Sequence, residues 1–139
     1  MGRKLFCQLC PLTYRISVEK CIALRRLRDT CSPTRLASQR QAEPLPVVLY
    51  RHSSLIRRRL GNVDMRLQEN KAVNLSIAAP LVNGVLIRPG ETFSFWRLVG
   101  RPTARRGFRE GLTISTGRTS SGVGGGMCQF TNLIHWMVL

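Results

Sequence analysis

Cys128 is the residue of this sequence whose surroundings best suit a chemical role. It follows GVGGG, residues 122–126, in which four of five positions are glycine. Such a cluster predicts a loop, because glycine adopts backbone angles that side chains forbid. Beyond Cys128, apolar side chains recur at helical spacing, at Phe130, Leu133, Ile134, Met137 and Val138. The sequence therefore places Cys128 at or near the start of a helix.

A cysteine at a helix start is a candidate nucleophile. Unpaired N–H groups and the positive end of the helix dipole favour the thiolate there. Gln129 and the amides of Gly124, Gly125 and Gly126 would then stabilise an oxyanion or form a ligand-binding loop. The alternative is structural, since free cysteine is often a small buried apolar residue and glycines commonly mark turns. The segment alone leaves both interpretations open.

No general base for Cys128 is evident in the sequence. His135 is seven residues further on, ~10 Å along a helix axis, which is beyond hydrogen-bond reach. We interpret His135 as a packed or exposed residue of the helix. His52 is far away in sequence and would need the fold to bring it near. The residues by themselves therefore assign no general base to Cys128.

The chain is strongly basic. It has 22 Lys and Arg against 7 Asp and Glu, a net charge of +15. Residues 1–60 hold 13 basic and 3 acidic residues, and LRRLR (24–28) and RRRL (57–60) are the densest runs. Such charge predicts anionic partners, and each run is most simply a solvated helix face. Nothing resembles an established nucleic-acid-binding module, so we expect peripheral contact with an anionic membrane surface and no specific nucleic acid.

The first 20 residues contain no apolar segment long enough for a signal peptide, and no apolar run of 18 residues occurs. We therefore expect a cytoplasmic protein at most peripherally bound to the inner membrane face. The five cysteines are Cys7, Cys10, Cys21, Cys31 and Cys128. CQLC has half the spacing of a zinc site, but no second half follows. We predict scattered structural thiols, with no metal and no cofactor.

Two regions are predicted: a basic, largely helical part over residues 1–60 and a second part over residues 61–139. In the first, Ile16, Ala23, Leu24 and Leu27 form an imperfect helical stripe, and residues 47–60 suggest another basic helix. In the second, a helix is predicted over residues 68–81, with Val73, Ile77 and Leu81 on one face and Asn70 and Asn74 one turn apart. Pro80 should kink this helix or end it by about Ala79.

Strand signals follow this helix. VLIRPGETFSFW, residues 85–96, suggests two short strands about a Pro-Gly turn, and GLTIS, residues 111–115, suggests another strand. The order of helix, strands, glycine loop and helix predicts an α+β domain with a small, mainly antiparallel sheet and flanking helices.

The motifs of residues 61–139 resemble the VanW family. The shared pattern is an Asn-rich helix, then N-G, P-G-E-x-F-S-F and G-G-G-x-C-Q. It falls on Asn70, Asn74, Asn83, Gly84, Pro89, Gly90, Glu91, Phe93, Ser94, Phe95, Gly100, Gly124, Gly125, Gly126, Cys128 and Gln129. Members of the family continue to an E-R-x-x-H segment and further strands. The end of the sequence inside the apolar run NLIHWMVL therefore suggests the N-terminal portion of a truncated domain, unstable alone.

The resemblance implies an accessory role in glycopeptide (vancomycin) resistance and cell-wall biology, without a defined activity. Two function classes stay open, with nucleotide binding third, because the glycine loop lacks the Gly-Lys-Ser/Thr ending of a P-loop. The first is a binding or accessory protein whose glycine loop holds a cell-wall precursor or peptidoglycan peptide. The second is a cysteine-dependent acyl-transfer or hydrolytic enzyme acting on cell-wall peptide, with Cys128 as nucleophile and Gln129 at the oxyanion. Binding is favoured because the sequence shows no acid or base for the reaction.

Overall fold

The computed structural model describes residues 5–57, 64–115 and 118–138. The chain divides into two compact units, Met1–Arg35 and Leu36–Leu139. The boundary predicted after residue 60 falls within residues 58–63, outside the described residues. The described elements are helices together with short strands, some paired antiparallel, which confirms the predicted α+β class.

The first unit is built on one long helix, α1 (Pro11–Cys31), preceded by a short 3-10 turn (Phe6–Gln8). Pro11 suits the first helical position, where its missing N–H costs no hydrogen bond. The Cys10 N–H donates to the Thr13 hydroxyl at 3.1 Å, and that hydroxyl donates to the Cys10 carbonyl at 2.8 Å. The predicted helical stripe therefore lies on a helix, but none of the 21 residues of α1 is buried.

The second unit begins with β1 (Arg35–Leu36), which crosses the boundary between the units, and continues to the central helix α2 (Met65–Val82). The Asp64 carboxylate accepts the Arg66 N–H at 2.8 Å and so caps α2. Between these elements the predicted basic helix over residues 47–60 is absent from residues 47–57, and residues 58–60 lie outside the described part.

Helix α2 continues past Pro80, so of the two predicted outcomes the end at Ala79 is wrong, and the kink stays a prediction. The Arg40 guanidinium donates to the carbonyl of Leu81 at 2.6 Å and, more weakly, to that of Pro80 at 3.4 Å. These carbonyls belong to the last turn, which has no further helical partners, so an external donor stabilises it. A residue 40 positions away thus supports a helix end that proline would otherwise weaken.

The hairpin predicted over residues 85–96 is wrong, although its turn is confirmed. Gly90 has φ +80° and the Glu91 N–H donates to the Arg88 carbonyl at 2.9 Å, as expected for a Pro-Gly turn. The flanking residues pair with an earlier segment instead: Val85 forms a bridge with Arg40. Likewise β2 (Glu91–Thr92) pairs with β1.

After β2 the chain turns into a helix rather than continuing as a strand. The Ser94 hydroxyl accepts the Arg97 N–H at 3.3 Å and caps α3 (Phe95–Val99). The alternation of Phe93 and Phe95 therefore does not mark one face of a strand. A buried serine at a helix start overrides the period-two pattern.

An antiparallel pair then leads to the last helix. Strands β3 (Glu110–Ser115) and β4 (Arg118–Val123) pair with Glu110 opposite Val123, and α4 (Met127–Val138) follows. The strand predicted at residues 111–115 is confirmed, whereas β4 was not predicted. Among the described residues, Ala78, Val99 and Phe108 form a buried apolar cluster, with half-buried side chains of α2, α3 and α4 around it. Among the described helices, none combines the length and apolar character that a membrane span needs.

Candidate functional site

The glycine loop, residues 124–126, is fixed by one buried asparagine of α2. Asn74 has no exposed surface, and its Nδ2 donates to the carbonyls of Arg109 and Gly125, each at 2.9 Å. Its Oδ1 accepts the Arg109 N–H at 2.7 Å. The Gly124 N–H donates to the same Arg109 carbonyl at 3.0 Å. Asn74 therefore holds the entry to β3 and the glycine loop together from α2.

None of the three loop glycines has room for a side chain, and a Cβ at Gly124 would overlap the Pro102 ring. A Cβ at Gly125 would overlap the backbone of Gly111, which places β3 directly against the loop. A Cβ at Gly126 would overlap the Lys71 side chain, and φ there is +101°, a region that other residues rarely adopt. The sequence predicted a glycine loop, and the structure shows that close backbone approach is one reason for it.

Cys128 is the second residue of α4 and is exposed. It lies on the wall of a cleft of about 260 Å³ between α3 and the start of α4. The Thr131 hydroxyl, also on this wall, donates to the Cys128 carbonyl at 3.0 Å. The cleft is lined by Phe95, Trp96, Val99, Gly100, Pro102, Gly124, Met127, Cys128 and Thr131. The predicted helix start and glycine loop thus meet at an apolar cleft that carries a thiol.

None of the lining residues other than Cys128 carries an ionisable side chain. His135 lies exposed on α4, in agreement with its interpretation as a packed or surface residue. The His52 ring stacks on Tyr50, with ring centroids 6.4 Å apart and planes 7° from parallel. Among the described residues, the wall of the cleft therefore offers a thiol and apolar surface, without an acid or base.

Gln129 adjoins Cys128 in sequence but is not part of the cleft wall. Its Oε1 accepts the Lys71 ammonium at 3.1 Å, and its Nε2 donates to the Ser54 hydroxyl at 2.9 Å and the Leu55 carbonyl at 3.0 Å. Both ends of the amide are thus engaged in holding the segment around Ser54 against α4. A role of Gln129 in stabilising an oxyanion remains a prediction. It would require the Gln129 amide to break these hydrogen bonds.

The most buried line of α2 is polar, which the apolar spacing did not predict. Its buried residues are Gln68, Lys71, Asn74 and Ala78, spaced three or four apart. The predicted core face of Val73, Ile77 and Leu81 is half-buried instead. Among the described residues, neither polar atom of the Gln68 amide has a hydrogen-bond partner. The recurrence of polar side chains at helical spacing in QENKAVN was the available signal.

The remaining motif residues support the frame around the cleft. Asn70 donates from Nδ2 to the Glu110 carbonyl at 2.8 Å, one turn from Asn74. Asn83 ends α2, and its N–H donates to the Ala79 carbonyl at 2.9 Å. The Gly84 carbonyl accepts an N–H from the earlier extended segment, at 2.8 Å from Gln41. These residues shape turns and helix ends.

The P-G-E-x-F-S-F motif likewise shapes a turn and a helix start. Gly90 lies in the turn, and the Glu91 carboxylate accepts the Arg88 N–H at 2.9 Å across it. Ser94 caps α3, and the Phe95 ring meets Phe130 edge to face at 5.7 Å. Phe95 is the one motif residue of this group on the cleft wall.

The other four cysteines, Cys7, Cys10, Cys21 and Cys31, lie in the first unit as free thiols. Within the described ranges, no cluster of three or more His, Cys, Asp or Glu could hold a metal. The pKa of the Cys10 thiol is lowered, first by the backbone N–H of Thr13, which donates to the thiolate, and then by the Thr13 side chain.

The sequence is similar to a family of known proteins. The family model described as VanW like protein matches residues 70–139. The Vancomycin B-type resistance protein VanW of Enterococcus faecalis is 44% identical over 95 residues, which is 68% of this chain and 34% of that protein. The uncharacterized protein YoaR of Bacillus subtilis is 35% identical over 66 residues, 48% of this chain and 22% of that protein.

The chain thus spans about a third of the first relative and about a fifth of the second. No solved structure is significantly similar to it. The matched range begins at Asn70 and includes Asn74, the glycine loop and Cys128, so the family model covers every element of the cleft. The chain belongs to the VanW family.

Proposed function

We propose that this chain acts in glycopeptide resistance by binding a peptide of a cell-wall precursor in the cleft beside Cys128. The name of the Enterococcus faecalis relative supports the link to vancomycin resistance. The observation that carries the binding role is the composition of the cleft: apolar side chains and loop backbone surround about 260 Å³, and the thiol is the only ionisable group among the described residues of its wall. Apolar walls with a few polar groups are typical of ligand sites, and a wall on which the described residues supply no acid or base favours binding over catalysis. The proposed place of action is the inner membrane face.

Trp96 provides a direct reporter, because it lies on the cleft wall and is half exposed. The chain has two tryptophans. In a Trp136→Phe variant, Trp96 alone would report on the cleft. Titration with a soluble muramyl pentapeptide should change its emission in a saturable way, because the peptide replaces water against the indole.

A matched pair of variants tests whether the cleft is the site. Cys128→Phe should fill the cleft and abolish the saturable change. Asn132→Phe places the same side chain at an exposed position of α4 that is outside the cleft wall, and should leave binding unchanged. Binding that survives Cys128→Phe, or that is lost equally in both variants, would argue against this site.

The same samples distinguish binding from catalysis. The enzymatic alternative requires an acyl-enzyme on the Cys128 sulfur, which adds the mass of the acyl group and releases the amine. Mass spectrometry of the chain and of the peptide should show neither change if binding is the function. A covalent adduct that disappears in Cys128→Ser and Cys128→Ala would replace the binding proposal by acyl transfer.

A further inference from the structure

Helix α1 carries exposed apolar side chains that the described residues of its own unit do not cover. Leu12, Ile16 and Leu27 expose 65%, 50% and 61% of their surface. Ala23 is exposed as well. At roughly 100° of rotation per residue, these four residues lie within an arc of about 60° around the helix axis. The four form one narrow stripe along 16 residues of the helix.

Basic side chains lie along both edges of this stripe. Arg15 and Arg26 fall on one side and Lys20 on the other, by the same helical geometry. Glu19, also exposed, lies on the side of the arginines. All three cations are exposed. Long basic side chains beside an apolar stripe can reach headgroup phosphates while the stripe enters the acyl boundary.

We propose that α1 is a membrane-surface helix that binds anionic phospholipid, with the Leu12–Ile16–Ala23–Leu27 stripe inserted and Arg15, Lys20 and Arg26 at the headgroups. Charge complementarity identifies the partner, because α1 has five Lys or Arg against two acidic residues. A nucleic acid would satisfy the cations but would leave the apolar stripe in water. A bilayer surface satisfies both. This inference concerns the first unit and does not depend on the cleft.

The test uses the whole chain with vesicles of phosphatidylcholine, alone or mixed equally with phosphatidylglycerol. Because the net charge of +15 attracts any anionic vesicle, binding alone does not identify α1. The informative variant is Leu12→Gln/Ile16→Gln/Leu27→Gln, which keeps every charge and uses a good helix former. It should lower the partition coefficient on mixed vesicles at least about tenfold, since the inserted apolar area is lost.

Tyr14→Gln is the matched control for apolar loss. Tyr14 is 57% exposed and lies nearly opposite the stripe on the helix. Its replacement should leave partitioning unchanged. Circular dichroism would verify that each variant keeps its helix content. Equal partitioning of the stripe variant and the native chain, or an equal loss in Tyr14→Gln, would overturn the proposal.

A second pair isolates the position of the charges. Arg15→Gln/Lys20→Gln/Arg26→Gln should weaken binding to mixed vesicles by roughly a hundredfold, at about 1 kcal/mol for each cation near the surface. The control removes three exposed cations from the second unit, Arg51, Arg97 and Arg105. This control should weaken binding to mixed vesicles much less than the substitution of Arg15, Lys20 and Arg26. Equal losses of vesicle binding in the two triple variants would overturn the proposal. It would also be overturned if the native chain preferred double-stranded DNA to mixed vesicles and the stripe variant kept that preference. Either result would indicate a diffuse surface for polyanions.

Discussion

The Asn74 amide nitrogen lies 2.9 Å from the Gly125 carbonyl oxygen, 51 residues away in sequence, and this bond joins α2 to the loop before Cys128. The same side chain also bonds both backbone groups of Arg109. The buried Asn74 amide thus forms hydrogen bonds with three backbone groups and holds them together as a structural clamp. The geometry of the cleft therefore depends on a residue outside its wall.

Asn74→Ala should lower the free energy of unfolding by about 3 kcal/mol, because it leaves the buried Gly125 carbonyl and the Arg109 N–H without the partners that Asn74 supplies. Urea denaturation would measure this change. Asn70→Ala is the control, since Asn70 is more exposed and makes one bond to the Glu110 carbonyl. It should cost about 1 kcal/mol or less. Equal costs at the two positions would contradict the clamp.

Gly125→Ala should destabilise the second unit by about 3 kcal/mol, because the new methyl group would overlap the Gly111 backbone, which no side-chain rotation can relieve. Gly90→Ala provides the comparison. Gly90 has φ +80°, but no atom lies within 4 Å of the position that its new methyl group would take. Its cost should therefore be about 1 kcal/mol, from backbone conformation alone. Thermal unfolding of both variants would rank them, and a milder effect at Gly125 would refute the close approach.

Cys10 should be alkylated at lower pH than Cys21 and Cys31, although all three are exposed. Because the Thr13 groups lower the Cys10 pKa, its reactive thiolate forms at lower pH. Peptide mass spectrometry across a pH series would give each midpoint. Thr13→Val removes the hydroxyl and should move the Cys10 midpoint upward, toward the other two. Coincident midpoints in the native chain would disprove the effect.

The same labelling series tests the interpretation of Cys128 as a reactive residue. Its position at the start of α4 predicts faster labelling than Cys21 and Cys31 near neutral pH. Rates are compared at equal reagent concentration, with the denatured chain as the reference for intrinsic reactivity. If Cys128 labels no faster than Cys21 and Cys31, a role as nucleophile loses its support.

Gln68→Leu should leave stability unchanged or raise it by about 1 kcal/mol. The Gln68 side chain is 1% exposed, and neither end of its amide is bonded within the described part of the chain. Replacing an unsatisfied buried amide by an apolar group of similar size removes a desolvation cost. Gln68→Glu, with a buried charge, should be clearly destabilising. A loss above about 1 kcal/mol in Gln68→Leu would show that the amide has a partner, such as a bound water.

Local patterns in the sequence predicted helices α1, α2 and α4 and the chemistry of single turns, but they missed α3 and predicted a helix that is absent from residues 47–57. The apolar spacing after Cys128 predicted α4, the Pro-Gly pair predicted the turn at Gly90, and the glycine cluster predicted the loop. Each of these depends on residues within a few positions of one another, where side-chain sterics and helical period act directly. The α+β class followed from the order of these signals. The motifs of residues 61–139 also indicated the family.

Tertiary structure alone decided which residues meet and which faces are buried. The segment after α2 pairs with Arg40 and β1 rather than with itself, because an earlier strand supplies the backbone partners. The buried line of α2 passes through Asn74 rather than Val73, because strand and loop backbones need its amide. Gln129 is turned toward Lys71 and Ser54, away from the cleft beside its neighbour Cys128. Such long-range hydrogen bonds join residues whose separation in sequence carries no periodic signal.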